Sequence, residues 1–161
     1  MEKILEKFQA LGLGEKIILI AGVVLLIASF LPWYSVDLGP FGSVSRNGWQ
    51  SPGAIWSIVP VFIGLAMAGV IALKTFTAVQ LPSDVGGQSW ARVHLAGGVV
   101  ALLFVVIKFL NESSYLSFGF YLGLVAVAAL AAAGFLMYRA EGGTVPGMPG
   151  GGVSGGGPAR P

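Results

Sequence analysis

Lys108 and Glu112 stand four positions apart at the end of an apolar run. One helical face would carry both, which suits an ion or proton relay if the pair is buried inside a membrane. The same spacing suits an interfacial anchor, with the lysine snorkelling to the headgroups. The lysine-first order is the less favourable one for an i,i+4 pair. His94 is the single histidine, and a lone imidazole near Arg92 could sense pH. Its place at a span boundary, beside that arginine, predicts a solvated ring.

Further chemistry is scarce. The chain has no cysteine, so disulfides, thiolate metal sites and a cysteine nucleophile are excluded. One histidine makes a histidine-based zinc site unexpected. The apolar runs contain no Asp, Glu or Arg. With no acid–base pair to share a pocket, the expectation is a non-enzymatic protein without a cofactor. The Gly-Gly-Gly near the C-terminus lacks the Lys-Ser/Thr of a phosphate loop.

Small residues carry a clearer pattern. Gly64, Ala68 and Ala72 recur at helical spacing, as do Gly97 and Ala101, and Gly119 and Gly123 followed by Ala126, Ala129 and Ala133. Such stripes let helix backbones approach closely in lipid. They serve packing within one bundle, or a face for a partner or a second copy.

The elements that position these residues follow from composition. Of 161 residues, 55% are hydrophobic and 10% charged, and mean hydropathy is +0.84. Soluble domains carry about 25% charged residues, so this chain cannot coat a soluble fold. Four runs, about 17–33, 54–73, 93–110 and 118–138, are each long enough to cross about 30 Å of hydrocarbon at 1.5 Å per residue. They do not alternate as barrel strands would. The prediction is an all-α membrane protein with a four-transmembrane-helix bundle over 15–140.

The first run resembles a signal peptide in its apolar stretch, but Phe30-Leu31-Pro32-Trp33 is bulky where cleavage needs small residues, so it is expected to stay. Lys3, Lys7, Lys16, Lys74, Arg92, Arg139 and Arg160 fall on one side, against Arg46 and Lys108 on the other. The positive-inside rule then places both termini in the cytoplasm. This spread of basic residues, with a net charge of +2, reads as topology control and predicts no nucleic-acid partner.

Outside the spans, residues 1–14 hold an amphipathic segment with Ile4, Leu5, Phe8 and Leu11 on one face, expected on the inner membrane surface. Residues 34–53 hold two short alternating runs around Gly39-Pro40 and a turn signal at Asn47-Gly48, which predict a small hairpin-like outer loop. Trp33, Tyr34, Trp49 and Trp56 cluster at that outer interface and are candidates for recognition. Pro60 removes one hydrogen bond to the Trp56 carbonyl, so a kink is expected there, with Ser57 able to satisfy that region. The last 20 residues contain nine Gly and four Pro, and 141–161 is expected to be a disordered tail.

The strings SFLPWYSVD at 29–37, SRNGWQSPGAIW at 45–56, VVIKFLNESS at 105–114 and SFGFYLGLVAVAALAAAGFLM at 117–137 resemble a group of small bacterial, largely actinobacterial, four-span proteins. The resemblance covers about 120 residues and implies the fold and a bacterial cytoplasmic membrane location, without an activity. Tryptophans in a long first outer loop also resemble claudin-type tetraspans, but the paired loop cysteines and the Gly-Leu-Trp motif are missing. The functional expectation is an accessory or scaffold component among membrane lipids, with another membrane protein or a second copy as partner. The alternative is a small oligomeric transporter or channel using Lys108 and Glu112.

Overall fold

The computed structural model describes residues 1–50 and 53–141. The glycine- and proline-rich segment from residue 142 onward lies outside the described residues, and so does the expectation of a disordered tail. Helix α1 spans Glu2–Ala10, α2 Leu13–Phe30, α3 Ile55–Phe76, α4 Trp90–Asn111 and α5 Phe118–Ala140. Strands β1 (Pro32–Asp37) and β2 (Ser43–Asn47) form an antiparallel hairpin between α2 and α3. Helices α2 to α5 are each long and apolar enough to cross a membrane, so the chain is a multi-pass integral membrane protein.

The four spans form a closed ring in which each packs on its two sequence neighbours and α5 returns to α2. Neighbours run antiparallel: Glu15 at the start of α2 pairs with Lys74 at the end of α3, and Gly119 at the start of α5 meets Leu31 just past the end of α2. The hairpin and the α4–α5 connection therefore share one end of the bundle. Helix α1, the α3–α4 connection and the end of α5 share the other.

The interior holds both bulky residues, among them Ile18, Leu25, Ile71, Phe120 and Leu130, and the small residues at which helices touch. Bulky side chains such as Ile20, Val23, Ile27, Phe62, Leu103 and Val125 point outward, toward the surface a membrane would cover. Glycine and alanine fill the helix contacts. A Cβ on Gly22 would lie 3.0 Å from the Gly64 carbonyl oxygen and 2.7 Å from the Ala68 methyl. On the opposite side, Gly98 faces the backbone of Leu130 and Ala131, and Gly134 faces that of Leu95. Lipid tails are as apolar as these side chains, so close packing rather than water exclusion holds such helices together.

One boundary differs from the expectation. The first apolar run does not stay helical to Trp33: α2 stops at Phe30, Leu31 is extended with ψ 159°, and Trp33 belongs to β1. Steric conflict with the Pro32 ring disfavours helical geometry at Leu31. Pro60 sits only six residues into α3, and the helix continues to Phe76. Ser57 does not serve the Trp56 carbonyl; its hydroxyl donates to the carbonyls of Ala54, at 2.9 Å, and Gly48. It thereby ties the end of the hairpin segment to α3.

On its other edge β1 meets the α4–α5 connection. Ser35 N donates to the Tyr115 carbonyl at 3.0 Å, and Ser117 N donates to the Trp33 carbonyl at 2.8 Å. Tyr34 and Leu116 pair as an antiparallel bridge. The strand is thus flanked on both sides by segments far apart in sequence. Beyond β2, the Asn47 carboxamide oxygen accepts from Trp49 N at 3.0 Å and Gln50 N at 3.1 Å, which makes the predicted turn.

Candidate functional site

The chemistry-bearing side chains gather under the hairpin. Helix α4 carries Lys108 in its last turn, pointing inward, and its side chain is 0% exposed. Its Nζ lies 3.7 Å from Glu112 Oε2 and donates to the Gly53 carbonyl at 3.3 Å. The rings of Trp33 and Tyr34 lie over it, with centroids at 5.9 and 5.3 Å. The expectation that this lysine snorkels to the headgroups is therefore corrected. A long stem can snorkel only where the helix end is open, and here strand β1 closes it. The ammonium instead finds its partners inside: a carboxylate, a carbonyl and two aromatic faces.

Glu112 is only partly covered, with its side chain 29% exposed. The Tyr34 hydroxyl donates to its Oε2 at 3.0 Å. Burial, then the hydrogen bond and negative charge of Glu112, raise the Tyr34 pKa well above its ordinary value. The phenol is neutral at any physiological pH and acts as a donor. An acid whose pKa is raised by folding contributes stability below its unfolded value of about 10 and loses it as pH climbs above that value. We expect the unfolding midpoint to fall more steeply above pH 10 in wild type than in Tyr34→Phe. At neutral pH that variant should be about 1.5–3 kcal/mol less stable, for loss of a hydrogen bond to a charged group. Denaturation at pH 7 and pH 11 checks both; parallel alkaline losses in the two proteins would refute the first.

Trp33 seals the centre of this end. It is fully buried, donates from Nε1 to the Ala28 carbonyl at 2.8 Å, and meets Phe120 edge-on at 5.6 Å. A Cβ on Gly123 would strike its ring at 2.9 Å, so that glycine makes room for the indole. Trp49 donates to Ser29 Oγ at 2.9 Å and stacks on Phe30 at 5.8 Å. Trp56 packs on Phe104 at 5.1 Å. Of the four outer aromatic candidates, Trp33 is inside the protein and reaches no partner; Tyr34, Trp49 and Trp56 are half-buried. The side chains that do face outward are Leu38, Phe41 and Val44 on the hairpin, Phe41 at 89% exposure.

Beside the hairpin lies a cavity of about 430 Å³ bounded by Tyr34, Val36, Arg46, Asn111, Glu112 and Tyr115. It brings a guanidinium, a carboxylate and two phenol rings together beside the apolar Val36. Tyr115 sits there with φ 63°, a left-handed conformation uncommon for a tyrosine and held by the Ser35 N–H on its carbonyl. Arg46 donates to the Gln50 carbonyl at 3.3 Å. Neither it nor Tyr115 had a sequence signal as a cavity wall, because both depend on β1 joining two distant loops.

The small-residue positions fall into two sets. Gly64, Ala68, Ala101, Gly119 and Gly123 are buried against neighbouring helices or the hairpin end. Gly97 is only half-buried, against the Met67 side chain, and Ala72 is half-buried. Gly14, Gly22, Gly98 and Gly134, which the spacing did not single out, make equally close approaches.

His94 is the other correction. Its ring is buried at 2% exposure at the opposite end of the bundle, not solvated. Two helical positions turn a side chain by about 200°, so His94 faces inward while Arg92 faces out. Among the described residues no group of three or more His, Cys, Asp or Glu could hold a metal ion. No family model matches the chain, nor does any curated protein or solved structure.

Proposed function

We propose that this chain is a non-enzymatic accessory or scaffold component of a bacterial cytoplasmic membrane, with both termini cytoplasmic and the hairpin presented outside for recognition. The observation that carries the reading is the burial of Lys108 beneath β1. A charge held against Glu112, Gly53 and two rings fixes the hairpin to the bundle. A fixed hairpin with Leu38 and Phe41 exposed is a preorganised surface, and preorganisation lowers the entropy cost of binding. The basic residues at the end opposite the hairpin support the orientation.

The alternative, a small oligomeric transporter or channel, draws on the same lysine, because buried intramembrane charge often marks a pathway. Its contacts with the hairpin end favour the recognition reading. The test is purification of the tagged full chain from its native membrane in mild detergent, with absolute stoichiometry by mass spectrometry. The expected result is a membrane-protein partner near one-to-one that is lost from Phe41→Asp while the variant still folds. No partner, together with Lys108-dependent flux in reconstituted vesicles, would overturn the proposal in favour of transport.

A further inference from the structure

The antiparallel register sets Tyr34 opposite Arg46 and Val36 opposite Val44. Alternate residues of a strand share a face, so these four side chains lie on one face of the hairpin. All four line the cavity of about 430 Å³ beside it, a size within the range of small-molecule sites, about 300–1,000 Å³. Asn111 and Glu112 at the end of α4, with Ser114 and Tyr115 from the connection beyond, form the other wall. Leu110 and Phe118 flank that wall in sequence and are exposed on α4 and α5, so the cavity adjoins the apolar surface a membrane would cover.

Charge decides what fits. Glu112 is matched by Lys108 at 3.7 Å and accepts from the Tyr34 hydroxyl at 3.0 Å. Arg46 belongs to neither ion pair of the described residues, Glu15–Lys74 nor Lys108–Glu112. Its guanidinium gives one N–H to the Gln50 carbonyl and has others to offer. The walls therefore carry one surplus positive charge, which attracts an anion and repels a further cation. The Ser114 and Tyr115 hydroxyls and the Asn111 amide are donors on the same walls. Four donor side chains suit the several oxygens of a phosphate better than the two of a carboxylate, and a guanidinium grips phosphate with two parallel bonds. A bare inorganic anion would leave Val36, Val44 and the phenol rings against water, whereas a ligand with an apolar portion covers them. We propose that this cavity seats the headgroup of a phosphodiester lipid, with the phosphate on Arg46, the glycerol backbone against Val36 and Val44, and the acyl chains along Leu110 and Phe118. The site uses the hairpin face turned to the cavity and does not depend on partner recognition by Leu38 and Phe41.

The test is native mass spectrometry of the full chain in a non-ionic maltoside detergent. The chain is titrated with dioleoyl phosphatidylglycerol, and separately with dioleoylglycerol, which has the same chains and no phosphate. The expected result is one phosphatidylglycerol retained per chain, saturably, at a concentration about ten-fold or more below that needed for dioleoylglycerol. Arg46→Gln should weaken retention about ten-fold. Val44→Trp, which fills the cavity from an exposed position without a change of charge, should weaken it as well. Arg92→Gln, at the opposite end of the bundle, should retain the lipid as wild type does. Equal retention of both lipids would mean apolar partitioning alone, and equal losses in the two arginine variants would mean diffuse attraction to basic surface. Displacement of the lipid by inorganic phosphate at the same concentration would mean a site for a soluble anion. Each of these three outcomes overturns the proposal.

Discussion

Lys108→Ala is expected to lower the stability of the folded bundle by about 3 kcal/mol, within the range of about 3–5 kcal/mol for removing one partner of a buried pair. The change leaves a void beneath two aromatic rings, the Gly53 carbonyl loses its donor, and Glu112 loses its cationic partner while keeping the Tyr34 hydroxyl. The partial exposure of Glu112 keeps the effect at the lower end, because water can rehydrate its carboxylate. Lys108→Met fills the void without the charge and should cost less. Combined with Glu112→Gln it should approach wild-type stability, since an apolar replacement of similar volume often substitutes for a buried ion pair. Reversible denaturation in mixed micelles, arranged as a double-mutant cycle, measures these differences. Wild-type stability for Lys108→Ala would show that the ion pair does not hold the hairpin end together.

A comparable loss is expected at a site without charge. In Gly98→Val the new Cβ would lie 2.7 Å from both the Leu130 carbonyl oxygen and Ala131 Cα, which belong to the α5 backbone and cannot rotate away. Gly134 makes the reciprocal approach, 2.7 Å from Leu95 Cα, so the two helices lock by paired glycines. Overpacking costs about 1–3 kcal/mol and occasionally more. The upper end is expected here, because relief requires separating α4 from α5 along much of their length. Gly69→Ala is the control: nothing lies within 4 Å of its Cβ position, and alanine favours a helix interior over glycine by about 1 kcal/mol. The two variants should therefore change stability in opposite directions. Equal effects would mean that helix propensity, and not interhelical contact, sets the response.

Much of the scaffold was readable from residue order because a span needs only length and low polarity. The N-terminal amphipathic segment was visible through its 3.6-residue period, and the hairpin through alternation around Gly39-Pro40. The boundary at Leu31 carried its own signal, the proline that follows, but the apolarity of Trp33 outweighed it. The small-residue stripes were read by i,i+4 spacing, which finds Gly64 with Ala68 and Gly119 with Gly123. In Gly97-Gly98 the same spacing selected Gly97, one step and about 100° away from the residue that meets α5. The candidate site was less legible. Lys108 and Glu112 were visible as a pair, yet whether a lysine at a helix end snorkels depends on what covers that end. The cover is a strand more than 70 positions away, and no local pattern announces it.

That strand also imposes an order on biosynthesis. One edge of β1 can pair with β2 as soon as the hairpin is made. Its other edge waits for the segment around Tyr115, and Tyr34 waits for Glu112, 78 positions later. At about 5–20 residues per second, the ribosome needs roughly 4–16 s to supply it. For that interval the nascent chain has inserted α2 and translated α3 while carrying an open strand edge and an unsealed Trp33 pocket. An open edge is a template for pairing with other chains, so this interval is when the nascent chain is most exposed to mispairing. The last span, which has no Asp, Glu, Lys, Arg or His between Phe118 and Met137, then closes the ring and the strand together.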